Sequence, residues 1–209
     1  MLFFNQKQTT TFVLKPIINM MLFLLRVLTK IDYTVLGWEI LKENVKNGPV
    51  ILGCEHQSIW ETFVIFSFFD KISTVVKKEL FSIPIAGLYF KKLGCIPINR
   101  SAAIRSLRNI VKFSKESVKH NTSILIFPSG TRSSGSDYKF AGIYAMYKNL
   151  CNIPVIPVAV DSGKCWPRRS FRKIPGTITL DFRGIIKPGL SKELFIENFN
   201  KSMYHFGST

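Results

Sequence analysis

Two side chains in the stretch CEHQSIWET, residues 54 to 62, have the types and spacing for proton chemistry. His56 is one of three histidines in the chain, and Glu61 follows it by five positions. An imidazole titrates near neutral pH, so it can take a proton and return it within one turnover. A carboxylate bonded to one ring nitrogen fixes the tautomer and stabilises the cation, leaving the other nitrogen to draw a proton from a hydroxyl. Such a base contributes about 10²- to 10⁴-fold in rate. The same spacing is equally compatible with a histidine at an ordinary strand end. Cys54 is an alternative nucleophile. His120, at a polar helix end, and His205, in the tail, offer less.

The pair dictates its own local structure. Five helical residues turn through about 500°, which leaves two side chains roughly 140° apart. His56 must therefore precede a helix, with Glu61 inside it reaching back. A strand over VILGC followed by a turn and a helix over WETFVIFSFF provides that junction, with Gln57 or Ser58 as the cap.

Beyond this junction, strand-like and helix-like segments alternate. TSILIFPSG (122 to 130) and IPVIPVAVDSG (153 to 163) are apolar runs with polar ends, and CIPINR (95 to 100) is short and extended. GTITLDFRGII (176 to 186) alternates as an edge or half-exposed strand does. Residues 101 to 119 predict a helix with Ile104, Leu107, Val111, Ser114 and Val118 inward and Arg105, Arg108, Lys112 and Lys115 outward. The tail predicts a further amphipathic helix through Leu194, Phe195, Phe199 and Met203. This order predicts an α/β fold, a mixed β-sheet flanked by helices, with chemistry collected beyond the strand ends. His56, Arg100 and the run from Ser129 to Arg132 all fall at such ends.

The remaining features concern surroundings. With 29 Lys and Arg against 13 Asp and Glu, the formal net charge is +16, which attracts phosphate esters, anionic lipid, acidic protein or nucleic acid. The four cysteines have neither C-x-x-C spacing nor a zinc-like cluster, and read as mostly buried thiols. TFVLKPIINMMLFLLRVLT (11 to 29) is the most apolar segment; Lys15, Pro16, Asn19 and Arg26 interrupt it. It predicts a membrane-associated helix sunk partway into one leaflet, with Lys15 and Arg26 reaching the headgroups. A soluble core helix is the competing reading. KCWPRRSFRK (164 to 173) interleaves aromatics with cations, as suits a bilayer interface and equally RNA.

Four blocks carry a resemblance: EHQSIWET (55 to 62), GCIPINR (94 to 100), FPSGTRS (127 to 133) and VIPVAVDSG (155 to 163). In order and spacing they resemble the bacterial 1-acyl-sn-glycerol-3-phosphate acyltransferases, the lysophosphatidic acid acyltransferases of phospholipid synthesis. KKELFSIPIAGLYF and WPRRSFRKIPGTI look similar too, so the likeness spans roughly residues 35 to 190. It implies the glycerolipid acyltransferase fold and transfer of an acyl chain to the 2-hydroxyl of lysophosphatidic acid. The donor would be acyl-CoA or the acidic acyl-carrier protein, and no metal or redox cofactor is implied.

By motif, His56 is the general base and Glu61 stands where the family usually has Asp. Arg100 and Arg132 match positions associated with the acceptor phosphate, and Ser129, Gly130 and Thr131 complete the third block. Ser129 replaces the family's usual Glu, which leaves a degenerate relative as one reading. Another acceptor, glycerol 3-phosphate or a different lysolipid, is a further reading. A non-catalytic basic protein on membrane or nucleic acid is the rival of another class, and no nucleic-acid signature supports it. The implied arrangement is a membrane-associated segment over residues 1 to 31 and an acyltransferase domain over residues 32 to 209. Its implied place is an anionic phospholipid surface, the cytoplasmic face of a bacterial inner membrane.

Overall fold

The computed structural model describes residues 5–99, 102–130, 138–168 and 170–203. The chain opens with a short helix α1 (Gln6–Thr9), a π-helical turn (Thr10–Leu14) and the long helix α2 (Lys15–Thr29). Pro16 lies inside the helical run, and the π-helical turn just before it accommodates the backbone hydrogen bond its missing N–H cannot make. There follow β1 (Ile31–Leu36), α3 (Trp38–Asn47), β2 (Ile51–Cys54), α4 (Trp60–Phe68) and β3 (Ile72–Lys77). A 3₁₀ turn (Lys78–Ser82) leads to α5 (Ala86–Lys92), β4 (Ile96–Ile98), α6 (Ala103–Lys119), β5 (Ser123–Ile126) and α7 (Ala141–Asn149). The chain then runs through β6 (Val155–Val160), a short 3₁₀ turn (Ser162–Lys164), β7 (Gly176–Phe182) and α8 (Lys192–Met203).

The strands form one seven-stranded sheet in the order β1-β7-β6-β2-β5-β3-β4. From β6 to β4 all pairs are parallel; β7 meets β6 antiparallel and β1 lies parallel to β7. The sheet is therefore mixed, as the alternation of elements predicts. β2 lies centrally between β6 and β5, and every one of its residues is buried. Successive residues of a strand face opposite sides, so two cores form. Leu52, Leu125, Ile156 and Val158 pack with Ile18, Leu41, Trp60 and Ile65 from α2, α3 and α4. Ile51, Ile124, Val155 and Ala159 pack with Ile110, Met146 and Phe195 from α6, α7 and α8.

Three sequence readings are refined. Of the two readings of the 176–186 run, the half-exposed strand holds and the edge strand does not: β7 is flanked by β1 and β6, and its alternate residues Ile178, Leu180 and Phe182 are buried. The edges are β4 and β1, and mixed polarity hid β1 as a strand. In α6 Ser114 is buried as predicted, but the rest of the buried line is Ser106 and Ile110, while Ile104 is 70% exposed. Small hydroxyl residues let this helix sit close to its neighbours, so polarity alone mispredicts its inner face. At the N-terminus, Lys15 and Arg26 reach carboxylates rather than standing free, at 3.0 Å from Asp70 and 3.2 Å from Asp32.

The long N-terminal helix is tied to the body. The Gln6 amide donates to the carbonyls of Leu93 at 2.8 Å and Ile72 at 3.3 Å, and Thr10 and Ile18 are buried. Its other side exposes Phe12, Ile17, Met20, Phe23, Leu24, Val27 and Leu28. The continuous helical run Gln6–Thr29, 24 residues, is by length and composition apolar enough to cross a membrane.

Candidate active site

The site begins where β2 runs out of sheet. After Cys54 the backbone N–H of Glu55 makes one last ladder bond, to Val158 O at 3.0 Å, and the chain then turns into α4. His56 lies in that turn and Glu61 in the first turn of α4, as the spacing requires. His56 Nδ1 is 2.9 Å from Glu61 Oε1. A carboxylate is only an acceptor, so Nδ1 carries the proton and Nε2 is left as the basic nitrogen. The imidazole side chain is 20% exposed and Glu61 is fully buried, so the base meets solvent and its orienting acid does not.

A buried carboxylate needs partners, and Glu61 has them. Its Oε1 also accepts the backbone N–H groups of Gln57 and Ser58, both at 2.9 Å. Its Oε2 accepts the hydroxyls of Ser58 at 2.8 Å and Ser162 at 2.7 Å. Ser58 Oγ in turn accepts the N–H of Trp60 at 3.0 Å. The S-x-x-E stretch thus works much as a capping box, with the glutamate reaching back to the serine's N–H. The positive end of α4 also faces the carboxylate. Glu61 therefore both starts the helix and aims the histidine.

The third and fourth blocks converge on this pair. Phe127, at the end of β5, stacks on the His56 ring with centroids 4.0 Å apart and an interplanar angle of 22°. Ser162 and Gly163, just beyond β6, bond to Glu61 and to Gln57 Oε1, the latter at 3.0 Å. Gly130 closes a turn onto Phe127 O at 2.9 Å with φ of +67°, a left-handed conformation that suits glycine. Ser129 is buried beside it. The second block is farther away: with β5 and β3 lying between β2 and β4, the strand axes are roughly 14 Å apart along the same sheet edge. Arg100, Thr131 and Arg132 lie outside the described residues. Lys77 and Lys78 were not singled out by the sequence; they leave β3 on this edge, with Lys77 paired in register with Ile98 of β4.

A second carboxylate, Glu55, also passed unremarked. It accepts the Tyr138 hydroxyl at 2.8 Å and the Val160 N–H at 3.1 Å, tying β2, β6 and the segment after the third block together. Burial pushes its carboxyl above the ordinary range, against the opposing pull of those two donors. Burial likewise raises the Tyr138 phenol, with Glu55 adding to the shift. Cys54 is fully buried, and desolvation with the charges of Glu61 and Glu55 raises its thiol well above normal. It is no nucleophile at neutral pH. Among the described residues no group of His, Cys, Asp and Glu is arranged to hold a metal ion.

A solvent-facing imidazole held by a buried acid at the carboxyl edge of parallel strands has the geometry that general-base chemistry on a hydroxyl requires. A family model described as acyltransferase matches residues 39–161. The chain is 36% identical over 174 residues to the 1-acyl-sn-glycerol-3-phosphate acyltransferase of Pseudomonas aeruginosa, covering 82% of this chain and 64% of that protein. It is 29% identical over 144 residues to the enzyme of the same name from Cocos nucifera, covering 68% of this chain and 47% of the relative. The crystal structure of the 1-acyl-sn-glycerophosphate (LPA) acyltransferase of Thermotoga maritima shares the fold, with a TM-score of 0.70 at 23% identity, over 94% of this chain and 79% of that one. This protein belongs to the acyltransferase family. It spans rather less than two thirds of the length of the curated relatives named here.

Proposed function

We propose that this protein transfers an acyl chain from a thioester, acyl-CoA or acyl-carrier protein, to the 2-hydroxyl of 1-acylglycerol 3-phosphate, giving phosphatidic acid. The observation that carries the reading is the His56–Glu61 pair, open to solvent only on the histidine side. The names of the Pseudomonas and coconut relatives support the acceptor. Nε2 of His56 takes the proton of the acceptor hydroxyl as its oxygen attacks the thioester carbonyl. The C–S bond breaks as the tetrahedral intermediate collapses, and the imidazolium returns the proton to the departing thiolate. Glu61 holds the ring through Nδ1 and stabilises the cation. Arg100 and Arg132 hold the acceptor phosphate through paired guanidinium bonds, with Ser129, Gly130 and Thr131 shaping the turn beside it.

The N-terminal segment, residues 1 to 31, acts as the membrane-associated element and residues 32 to 209 as the catalytic unit. The exposed apolar side of α2 supports this, together with Ile83, Ile85 and Leu88 around the start of α5, which belongs to the same layer. That region, residues 81 to 90, also suits the acyl chain. The site then works at an anionic phospholipid surface, the cytoplasmic face of a bacterial inner membrane.

The test is transfer of a labelled acyl thioester in detergent to a panel of glycerol phosphate and lysophospholipid acceptors. Lysophosphatidic acid should be the best acceptor. His56→Ala should abolish transfer while thermal unfolding stays cooperative; near-normal turnover by that variant rules the mechanism out.

A further inference from the structure

Helix α6 carries a feature that the proposed chemistry leaves unused. Arg105, Arg108, Lys112, Lys115 and Lys119 are all exposed along it. At 100° per residue they fall within a wedge of about 80°, and they extend about 21 Å along the axis. Lys119 lies 3.6 Å from Glu116 at the far end; among the described residues none of the other four enters a salt bridge. Like charges at three- and four-residue spacings destabilise a helix, so nothing within the described fold repays this arrangement.

Its position in the fold discriminates between partners. Ile110 of α6 packs in the core formed with α7 and α8, whereas Ile18 of α2 packs in the core on the other face of the sheet. The apolar residues of α2 and of the 83–88 stretch, which suit a bilayer, thus lie across the sheet from the cationic stripe. An anionic membrane reached by α2 is not the surface this stripe faces. Its N-terminal end is at the catalytic edge: α6 starts just after β4, and Ser106 Oγ accepts the N–H of Asn99 at 3.1 Å. The charges then run away from that edge along a rigid rod, over a length that suits the side of an acidic helix better than one or two phosphate groups.

We propose that the cationic face of α6 docks an acidic, helical acyl-carrier protein, presenting its thioester over the carboxyl edge of the sheet. This rests on the acyl-transfer reading above and commits it to a carrier-protein donor. Complementary charge of this kind acts mainly on encounter and on KM, and salt screens it over about 10 Å at 0.1 M.

The experiment compares the full chain in detergent with the variant R108E/K112E/K115E, which alters no residue assigned to the reaction. Binding of bacterial holo-acyl-carrier protein is followed by fluorescence anisotropy at low salt, independently of turnover. Transfer is followed with acyl-carrier protein and with acyl-CoA carrying the same chain. The wild type should bind the carrier, and the variant should bind at least about tenfold more weakly, with KM for the carrier donor raised in step. Its kcat/KM with acyl-CoA should stay within about twofold of wild type. Absence of carrier binding by the wild type, or equal losses with both donors, overturns the docking proposal. Loss of flotation with phosphatidylglycerol vesicles, carrier binding being unchanged, assigns the stripe to the membrane instead. Failure of both donors to react, with carrier binding intact, counts against the acyl-transfer reading and not against the docking face.

Discussion

At the scale of residues the site depends on how many donors one carboxylate satisfies. Glu61 is fully buried and takes bonds from His56, two backbone N–H groups and two hydroxyls. Glu61→Ala strands those donors in the interior, at about 1–3 kcal/mol for each left unsatisfied, so urea unfolding should show a loss of about 3 kcal/mol or more. Glu61→Gln keeps an acceptor for Nδ1 and loses the charge that stabilises the imidazolium. It should remain folded while kcat falls about 10²-fold or more. Glu61→Asp should retain part of the activity.

Glu55 sets a separate pH dependence. Burial raises its carboxyl, so the folded state holds that proton more tightly than the unfolded chain. Its contribution to stability is fully present below the unfolded value, near 4.3 for glutamate, and is lost as pH rises through the folded value. The stability of the wild type relative to Glu55→Gln should therefore shrink as pH rises above the ordinary glutamate range, as read by urea midpoints. A constant difference over that window would remove the linkage.

At the scale of elements, β2 must be held at one height so that His56 emerges at the carboxyl edge of the sheet. Its neighbours leave no room: a Cβ on Gly53 would lie 2.5 Å from both Ile143 Cδ1 of α7 and Phe199 Cε2 of α8. Gly53→Ala should cost about 1–3 kcal/mol by overpacking, and the shift of β2 should lower kcat as well. A lowered thermal midpoint with unchanged turnover would mean that strand position is not transmitted to the site. At α4 one glutamate serves both the helix start and the histidine, so the element and the orientation of His56 cannot be tuned separately. A cap from Gln57 or Ser58 was legible in the sequence, but the reach of Glu61 back to the Ser58 N–H and the contribution of Ser162, 101 residues away, were not.

At the scale of the whole molecule the sheet separates two environments. One layer presents the apolar side of α2 and the other the cations of α6, which suits an enzyme that draws a lipid from one side and a soluble donor from the other. Replacing Phe23, Leu24 and Leu28 by serine removes exposed apolar surface without touching Ile18 in the core. At about 1.5 kcal/mol or more for each buried side chain, vesicle partitioning should fall at least about 100-fold while the thermal midpoint holds. A falling midpoint with unchanged partitioning would make α2 a helix of the fold alone.

The sequence by itself determined the alternation of strands and helices, the mixed sheet, and the placement of His56 before a helix that carries Glu61. Those follow from local periodicity and from the angle that five helical residues subtend. Only the tertiary structure decided that Phe127 stacks on the imidazole and that Ser162 completes the glutamate's partners. It alone made β1 an edge, put Ser106 and Ile110 on the inner face of α6, and set α2 and α6 on opposite sides. These are contacts between segments far apart in the chain. They are selected by packing density and by the need to pair every buried polar group, and neither leaves a periodic signature in sequence.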